Sequence, residues 1–341
     1  MHSLTETTEF LTDRPDDLAR AGAMLAAGDL VAFPTETVYG LGADATNPEA
    51  IARLYAAKGR PRFNPLIAHV ASREQALALG DFPPEAEALA EAFWPGPLTL
   101  VVPARAGGPV CELARAGLDS VAIRVPDHPV ARAVLAAADR PIAAPSANRS
   151  GHVSASDARH VAEDLSGRIA AIVDGGATPI GVESTIVGCL GGMVTLLRPG
   201  GIPREAIETR LGRPLDTAPA DASQPLAPGR LSSHYAPRHG VRLNATALHP
   251  GEAYLGFGPA KAGGAEPVAV LNLSRSGDLA EAASRLYGCL RQLDSVPSAG
   301  IAVAPLPATG LGEAIQDRLL RAAAPRESVL PTGQEALAKG D

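Results

Sequence analysis

The chain is poor in aromatic residues, which make up 4% of its 341 positions. Its cores must therefore be built from Ala, Val, Leu and Ile. Cysteine is scarcer still: Cys111, Cys189 and Cys289 are the only three. They lie far apart, with no C-x-x-C and no Cys/His pair at zinc spacing, which argues against a zinc ribbon and a disulfide framework. Three unpaired thiols in a reducing compartment remain. No stretch approaches the ~18 apolar residues of a membrane-crossing helix. Met1 to Phe10 carries Glu6 and Glu9 without an apolar run, unlike a secretory leader. A soluble, cytoplasmic protein is expected. Surplus positive charge is missing too: the formal net charge is -7, which argues against broad nucleic-acid binding but leaves room for a local cationic pocket.

Common catalytic signatures are absent. There is no G-x-x-x-x-G-K-[ST] phosphate loop, no kinase signature, no G-x-S-x-G and no H-E-x-x-H. What is present is enough apolar residue, 46%, for a sizeable core, and a length that suits about two domains. Gly (35) and Pro (31) occur without a collagen-like period, so many tight, defined loops are expected.

Segments of helical and strand character alternate from about residue 14 to 210. Leu18, Ala21 and Leu25 keep helical spacing after Pro15, and Gly28 ends that helix. Asn47-Pro48-Glu49 starts another, with Asn as cap and Pro in the first turn, and Gly59 can stop it. Ser72 with Gln75 makes a capping box for a helix up to Leu79. Leu30–Phe33, Leu66–Val70, Leu98–Val102, Val121–Val125 and Ile169–Val173 read as strands. Interleaving of this kind gives an α/β domain over 14–212. From Arg213 to about 240 prolines crowd together and the hydrophobic period is lost, as in a linker. Residues 241–341 then show a smaller Rossmann-like α/β pattern: strands at Ala253–Phe257, Val268–Leu273 and Ile301–Ala304, and helices at Asp278–Leu293 and Gly312–Ala323. No G-x-G-x-x-G follows its first strand, so dinucleotide binding has no support there.

Polar side chains recur at strand ends. Thr35 and Thr37 sit in a hydroxyl-rich turn before Gly40 and Gly42, which let backbone approach a ligand. Lys58 and Arg60 lie in a Gly/Pro-stiffened turn, followed by Asn64 and His69. A cation at a helix end has a structural reason of its own, yet this pair also suits a phosphate or carboxylate, and Arg can bind one with two parallel bonds. His69, on an apolar strand, reads equally as a core residue. Strand alternation puts Val121, Ile123 and Val125 on one face and Arg124 on the other. A buried guanidinium there needs a carboxylate, internal or from a substrate. Ala144-Pro145-Ser146-Ala147-Asn148 can hold phosphate oxygens or an adenine edge, or serve as a capping turn. Gly181-Val182-Glu183-Ser184-Thr185 and Leu197-Arg198-Pro199-Gly200 repeat the pattern. The linker concentrates Arg230, His234 and Tyr235, which suggests a segment folding over a neighbouring pocket.

In combination these segments resemble one family. PTETVYGLG at 34–42, KGRP at 58–61, NPL at 64–66, WPGPLT at 94–99, RVPDHP at 124–129 and PSANRSG at 145–151 look like the YrdC-type threonylcarbamoyl-AMP synthases. The DGG, G-x-EST and LRPGGI segments and the linker's PG-x-L-x-SHYAP match the long form with an extra C-terminal domain. The resemblance implies a twisted mixed α/β sheet around a central cationic cavity, plus the smaller Rossmann-like domain. It implies condensation of L-threonine, bicarbonate and ATP, with Mg2+, to threonylcarbamoyl-AMP and pyrophosphate, the first step of a tRNA modification beside the anticodon. Lys58 and Arg60 would be catalytic. Thr35, Thr37, His69, Arg124, Ala144 and Ser184 would hold threonine. Lys58, Arg60, Asn64, Ser120, Ser146, Asn148, Ser154, Arg198 and Tyr235 would contact the nucleotide, and Arg230, His234 and Tyr235 would form a lid. No metal ligand is assigned from protein side chains. A tRNA threonylcarbamoyl-transferase complex is the expected partner. At Val153-Ser154-Ala155-Ser156 the chain departs from the Ser-Pro-Thr run of many relatives.

The main rival is an RNA-binding module using the same cavity, against which the acidic charge and the lack of basic stripes count. Carbamoyl-transfer chemistry of hydrogenase maturation is a second, but its zinc-finger and acylphosphatase segments are absent.

Overall fold

A computed structural model of the chain describes residues 7–61, 63–217 and 235–324. Arg230 and His234, expected in the lid, lie outside these residues, as does most of the expected linker.

Among the described residues ten strands form the larger sheet: β1 (Glu9–Leu11), β2 (Val31–Pro34), β3 (Tyr39–Asp44), β4 (Ile67–His69), β5 (Leu98–Pro103), β6 (Ser120–Arg124), β7 (Ile142–Ala143), β8 (Ala171–Val173), β9 (Thr185–Leu190) and β10 (Met193–Arg198). Their order is β1-β8-β2-β3-β7-β4-β6-β5-β9-β10, with parallel and antiparallel pairs mixed. The helices that accompany it are α1 (Pro15–Ala26), α2 (Pro48–Lys58), α3 (Arg73–Leu77), α4 (Pro84–Phe93), α5 (Pro129–Ala138), α6 (Ala158–Leu165) and α7 (Arg204–Leu211). Helices α1 and α5 approach so closely that a Cβ on Gly22 would lie 2.5 Å from that of Ala137.

Local signals decide the helix that carries the first cations. Asn47 accepts hydrogen bonds from the Glu49 and Ala50 N–H groups, Pro48 fills the first turn, and Gly59 closes α2 in the left-handed conformation at φ 62. Lys58 is thereby placed on the last turn of α2 and Arg60 just beyond it. The Ser72 cap is present, but α3 ends at Leu77, short of Leu79: the Ala78 and Leu79 N–H groups bond three residues back, to Gln75 and Ala76. Gln75 Oε1 takes the Ala71 N–H, where a capping box would take that of Ser72.

Strand alternation on β6 holds. Val121, Ile123 and Val125 enter the main core, whereas Ala122 packs on the opposite face with Ile67, Val101, Ile186 and Leu197. Arg124 shares that second face, which the strand ends carry toward the site.

The second sheet is parallel, ordered β11 (Val241–Arg242), β16 (Gly300–Val303), β13 (Glu252–Gly256), β15 (Val270–Asn272). A two-stranded ribbon, β12 (Ala247–Leu248) with β14 (Gly263–Gly264), flanks it. Helices α8 (Leu279–Asp294) and α9 (Leu311–Ala323) pack on this sheet through Leu286, Leu290, Ile315 and Leu319. The same core reaches Val38, Val153 and Val182 in loops of the larger unit, so the two units share an apolar interface. No helix among the described residues is long and apolar enough to cross a membrane.

Candidate active site

Strand-end turns distant in sequence are stitched together by backbone bonds. The Leu41 N–H donates to the Pro145 carbonyl at 2.8 Å and the Ala147 N–H to the Tyr39 carbonyl at 2.7 Å. Lys58 is buried and donates through Nζ to the Ser146 and Asn148 carbonyls. The Ser150 N–H returns a bond to the Lys58 carbonyl at 2.9 Å. Lys58 therefore ties the end of α2 to the Ser146–Asn148 turn, a structural duty in addition to its charge. Burial holds its ammonium well below the usual lysine range, and the neighbouring Arg60 charge adds to this.

Arg60, His69, Arg124, Ala144, Ser146, Ser184, Arg198 and Tyr235 converge on one cavity, with Val38, Ile67, Pro145 and Glu183 completing its wall. Burial lowers the Arg60 pKa to about 10, with the Arg198 charge acting in the same direction. Its Nη2 donates to the Pro65 carbonyl at 3.2 Å, and its Nε makes no hydrogen bond among the described residues. Arg198 donates through Nε and Nη2 to the Ser184 carbonyl at 3.2 and 2.8 Å, and through Nη2 to Ser184 Oγ at 3.2 Å. Ser184 Oγ lies 2.7 Å from Thr99 Oγ1. Arg124 meets an internal carboxylate: its Nη2 lies 2.8 Å from Glu36 Oε1, with both residues buried. Arg124 Nε makes no hydrogen bond among the described residues, so the guanidinium keeps a donor beyond the ion pair.

His69 Nδ1 donates to the Ile67 carbonyl at 3.0 Å. Burial, then the Arg124 charge, lowers its pKa to about 3, so the ring is neutral and its edge faces the cavity as a polar group.

The other expected residues do not line this cavity. Thr35 Oγ1 donates to the Val38 carbonyl at 2.7 Å and lies 2.8 Å from Thr37 Oγ1. Asn64 is 1% exposed, and neither its side-chain oxygen nor its nitrogen has a partner among the described residues. Buried amides are normally satisfied, which sets Asn64 apart. Asn148 directs its amide N–H to the Arg149 and His152 carbonyls, leaving its oxygen unbonded. Ser154 donates to Glu183 Oε1 at 2.6 Å. Ser120 stands at the opposite end of β6 from Arg124, paired with Pro103.

Two contributors are not evident from the sequence. Glu183 reads there only as part of a polar strand end; its partners come from residue 154 and from the C-terminal unit. Thr99 lies in an apolar strand, and only the pairing of β5 with β6 and β9 puts its hydroxyl beside Ser184.

A family model described as Telomere recombination, covering Sua5, YciO and YrdC proteins, matches residues 23–200. One described as Threonylcarbamoyl-AMP synthase, C-terminal domain, matches residues 202–324. The Threonylcarbamoyl-AMP synthase of Bacillus subtilis is 42% identical over 336 residues, 94% of this chain and 97% of the relative. The crystal structure of P. abyssi Sua5 complexed with L-threonine superposes with a TM-score of 0.83 at 38% identity, covering 93% of this chain and 97% of that one. E. coli YciO, at 19% identity and a TM-score of 0.50, shares the fold of the larger unit over 57% of this chain. With both domain models in order along one chain and a relative matched over nearly its whole length, the chain belongs to the threonylcarbamoyl-AMP synthase family, enzymes of the nucleotidyltransferase type.

Proposed function

We propose that this enzyme joins L-threonine, bicarbonate and ATP in the cavity between Arg124 and Arg60, releasing threonylcarbamoyl-AMP and pyrophosphate. The observation that carries the assignment is the convergence of Arg60, Arg124 and Arg198 on one hollow. Its only lining carboxylate among the described residues, Glu183, is bonded to Arg318. A surplus of buried positive charge beside small donors is a built anion site. Arg124 takes the threonine carboxylate, with Thr35, Thr37, His69, Ala144 and Ser184 around the amino acid. Arg60, Lys58 and Arg198 face the phosphates, with Asn64, Ser120, Ser146, Asn148, Ser154 and Tyr235 assigned to the nucleotide. Residues 14–212 form the catalytic unit in this reading, 213–240 the connection and 241–341 the C-terminal domain.

The chemistry then follows in two steps. The neutral threonine amine attacks bicarbonate with loss of water, or carbon dioxide with loss of a proton, and a carbamate results. A carbamate oxygen attacks the α-phosphorus, the bond to the bridging oxygen breaks, and pyrophosphate leaves with the electron pair. No protein nucleophile is required. The protein holds the reactants in line and neutralises charge growing on the phosphates. Among the described residues no cluster of three His, Cys, Asp or Glu side chains suits a resident metal. Magnesium enters this reading as the counter-ion of the incoming triphosphate.

The cavity measures ≈ 40 Å³, room for roughly three waters, whereas ligand sites are about 300 Å³ or larger. Tyr235, buried and in the left-handed conformation at φ 60, forms part of its wall. We assign it as a lid residue that closes over the bound nucleotide and keeps water from the labile product. The test is incubation with threonine, MgATP and labelled bicarbonate. Label in an adenylate supports the reading. Absence of labelled adenylate, with threonine and ATP both bound, removes it.

A further inference from the structure

We propose that the C-terminal unit is part of the active site, with Arg318 and Tyr287 acting as positioning residues that hold Glu183, the Ser184 turn and the Tyr235 ring in place. This inference rests on the synthase reading above and gives the second domain a task in it.

Arg318, on α9, is 0% exposed. Its Nε donates to Glu183 Oε2 at 2.6 Å and its Nη2 to the Pro199 carbonyl at 3.0 Å. One side chain thus clamps two turns of the catalytic unit, just before Ser184 and just after Arg198. Its guanidinium carbon also stands 5.3 Å from the centre of the Tyr235 ring, within cation–π range. Tyr287, on α8, places its hydroxyl 3.0 and 2.8 Å from the two Glu183 oxygens. Its ring stacks on Tyr235, with centroids 5.7 Å apart and planes at 24°. Glu183 also accepts from Ser154, an expected nucleotide contact.

The backbone is shaped for the same contact. A Cβ on Gly181 would lie 2.4 Å from the Ala283 carbonyl oxygen of α8, and one on Gly200 would lie 2.3 Å from the Glu183 carbonyl oxygen. The turns bearing Glu183 and Arg198 therefore lie against each other and against α8, with Arg318 bonded to both.

A buried ion pair is seldom a strong stabiliser compared with an apolar pair of the same shape. Its placement here, where Ser154, Ser184, Arg198 and Tyr235 meet, fits orientation better than stability. Arg318 does not line the cavity and acts through Glu183 and Tyr235. At the threonine end Arg124, His69 and Thr35 make none of these contacts, and only Ser184 stands on the clamped turn.

The experiment uses the full chain with the paired replacement Glu183→Gln/Arg318→Met, because Arg318→Met alone would strand a buried carboxylate. Tyr287→Phe, which keeps the ring stack, is the second variant. With folding verified by circular dichroism and melting temperature, the paired variant is expected to raise the KM for ATP about tenfold or more, the value of one charge-assisted bond. Threonine affinity measured by calorimetry should change by a clearly smaller factor than the ATP KM, because of the threonine contacts only Ser184 stands on the clamped turn. Tyr287→Phe should raise the ATP KM in the same selective way, by a smaller factor. In the ligand-free chain, amide exchange should quicken at residues 183–185 and 198–201. A folded paired variant with unchanged ATP KM and unchanged exchange overturns the proposal. Equal losses for threonine and ATP also overturn it, because they mean general scaffolding. If the wild-type chain makes no labelled adenylate, the synthase reading has failed, while the exchange measurement still judges the clamp.

Discussion

Replacing Arg60 by methionine should move stability and activity in opposite directions. Arg60 is 8% exposed, its Nε is unbonded among the described residues, and its described acceptor is one backbone carbonyl, that of Pro65. Burial lowers its pKa from the usual guanidinium range to about 10. At about 1.4 kcal/mol per unit, the folded chain bears on the order of 3 kcal/mol for keeping this group charged. Methionine keeps most of the stem's packing and removes the charge, so the ligand-free chain should melt at the same temperature or higher. The loss appears when phosphate charge develops. A positioned donor on such charge is worth about 3–4 kcal/mol, so turnover should fall about 10²–10³-fold. The assay is pyrophosphate release with threonine, bicarbonate and MgATP, paired with thermal melting without ligand. Wild-type turnover would refute the catalytic assignment. A large loss of ligand-free stability would refute the claim that the site holds an unrelieved positive charge.

Other expectations follow from single contacts. His69 has a folded pKa near 3 against 6.5 for the free group. Below pH 6.5 the unfolded chain takes up a proton that the folded chain refuses. The stability His69 contributes is therefore complete above about pH 6.5 and lost as pH falls toward 3, and its ring resonances should not titrate between pH 8 and 4. A shift centred near 6.5 would contradict the buried placement. Gly181→Ala places a methyl 2.4 Å from the α8 backbone, at a residue with φ +77, and should cost several kcal/mol in chemical denaturation; an unchanged midpoint would show that the two units do not touch there. Thr99→Val removes the hydroxyl 2.7 Å from Ser184 Oγ. It should weaken threonine binding about fivefold by calorimetry, the value of one neutral hydrogen bond, and unaltered affinity would remove Thr99 from the site.

Much of the site is legible in the sequence because its parts are local. The Asn47 cap, Pro48 and Gly59 sit within a dozen residues and place Lys58 and Arg60 unaided. Period-two alternation puts Arg124 opposite the Val121, Ile123 and Val125 face. The Asp278 cap accepts from the Glu281 N–H, and α8 starts beside it as its sequence indicates. Helices α4 and α7 are harder to read, since α4 is alanine-rich, α7 is charged with little period, and neither has a side-chain cap. The hairpin of β9 and β10 is equally obscure, because both turn glycines sit between strands that are almost wholly buried, with no clean alternation to read.

The sequence by itself determined the element types, the family and the inventory of cations at strand ends. These follow from residue spacings of one to four and from motifs read along a single chain. Only the tertiary structure decided that Lys58 is partly taken up by the Ser146 and Asn148 carbonyls, that Arg124 faces Glu36, and that Glu183 receives Arg318 from 135 positions away. Such pairings depend on which sheet edges and helix faces meet. A buried charge takes whatever partner the completed packing brings within reach, and no local pattern carries that information.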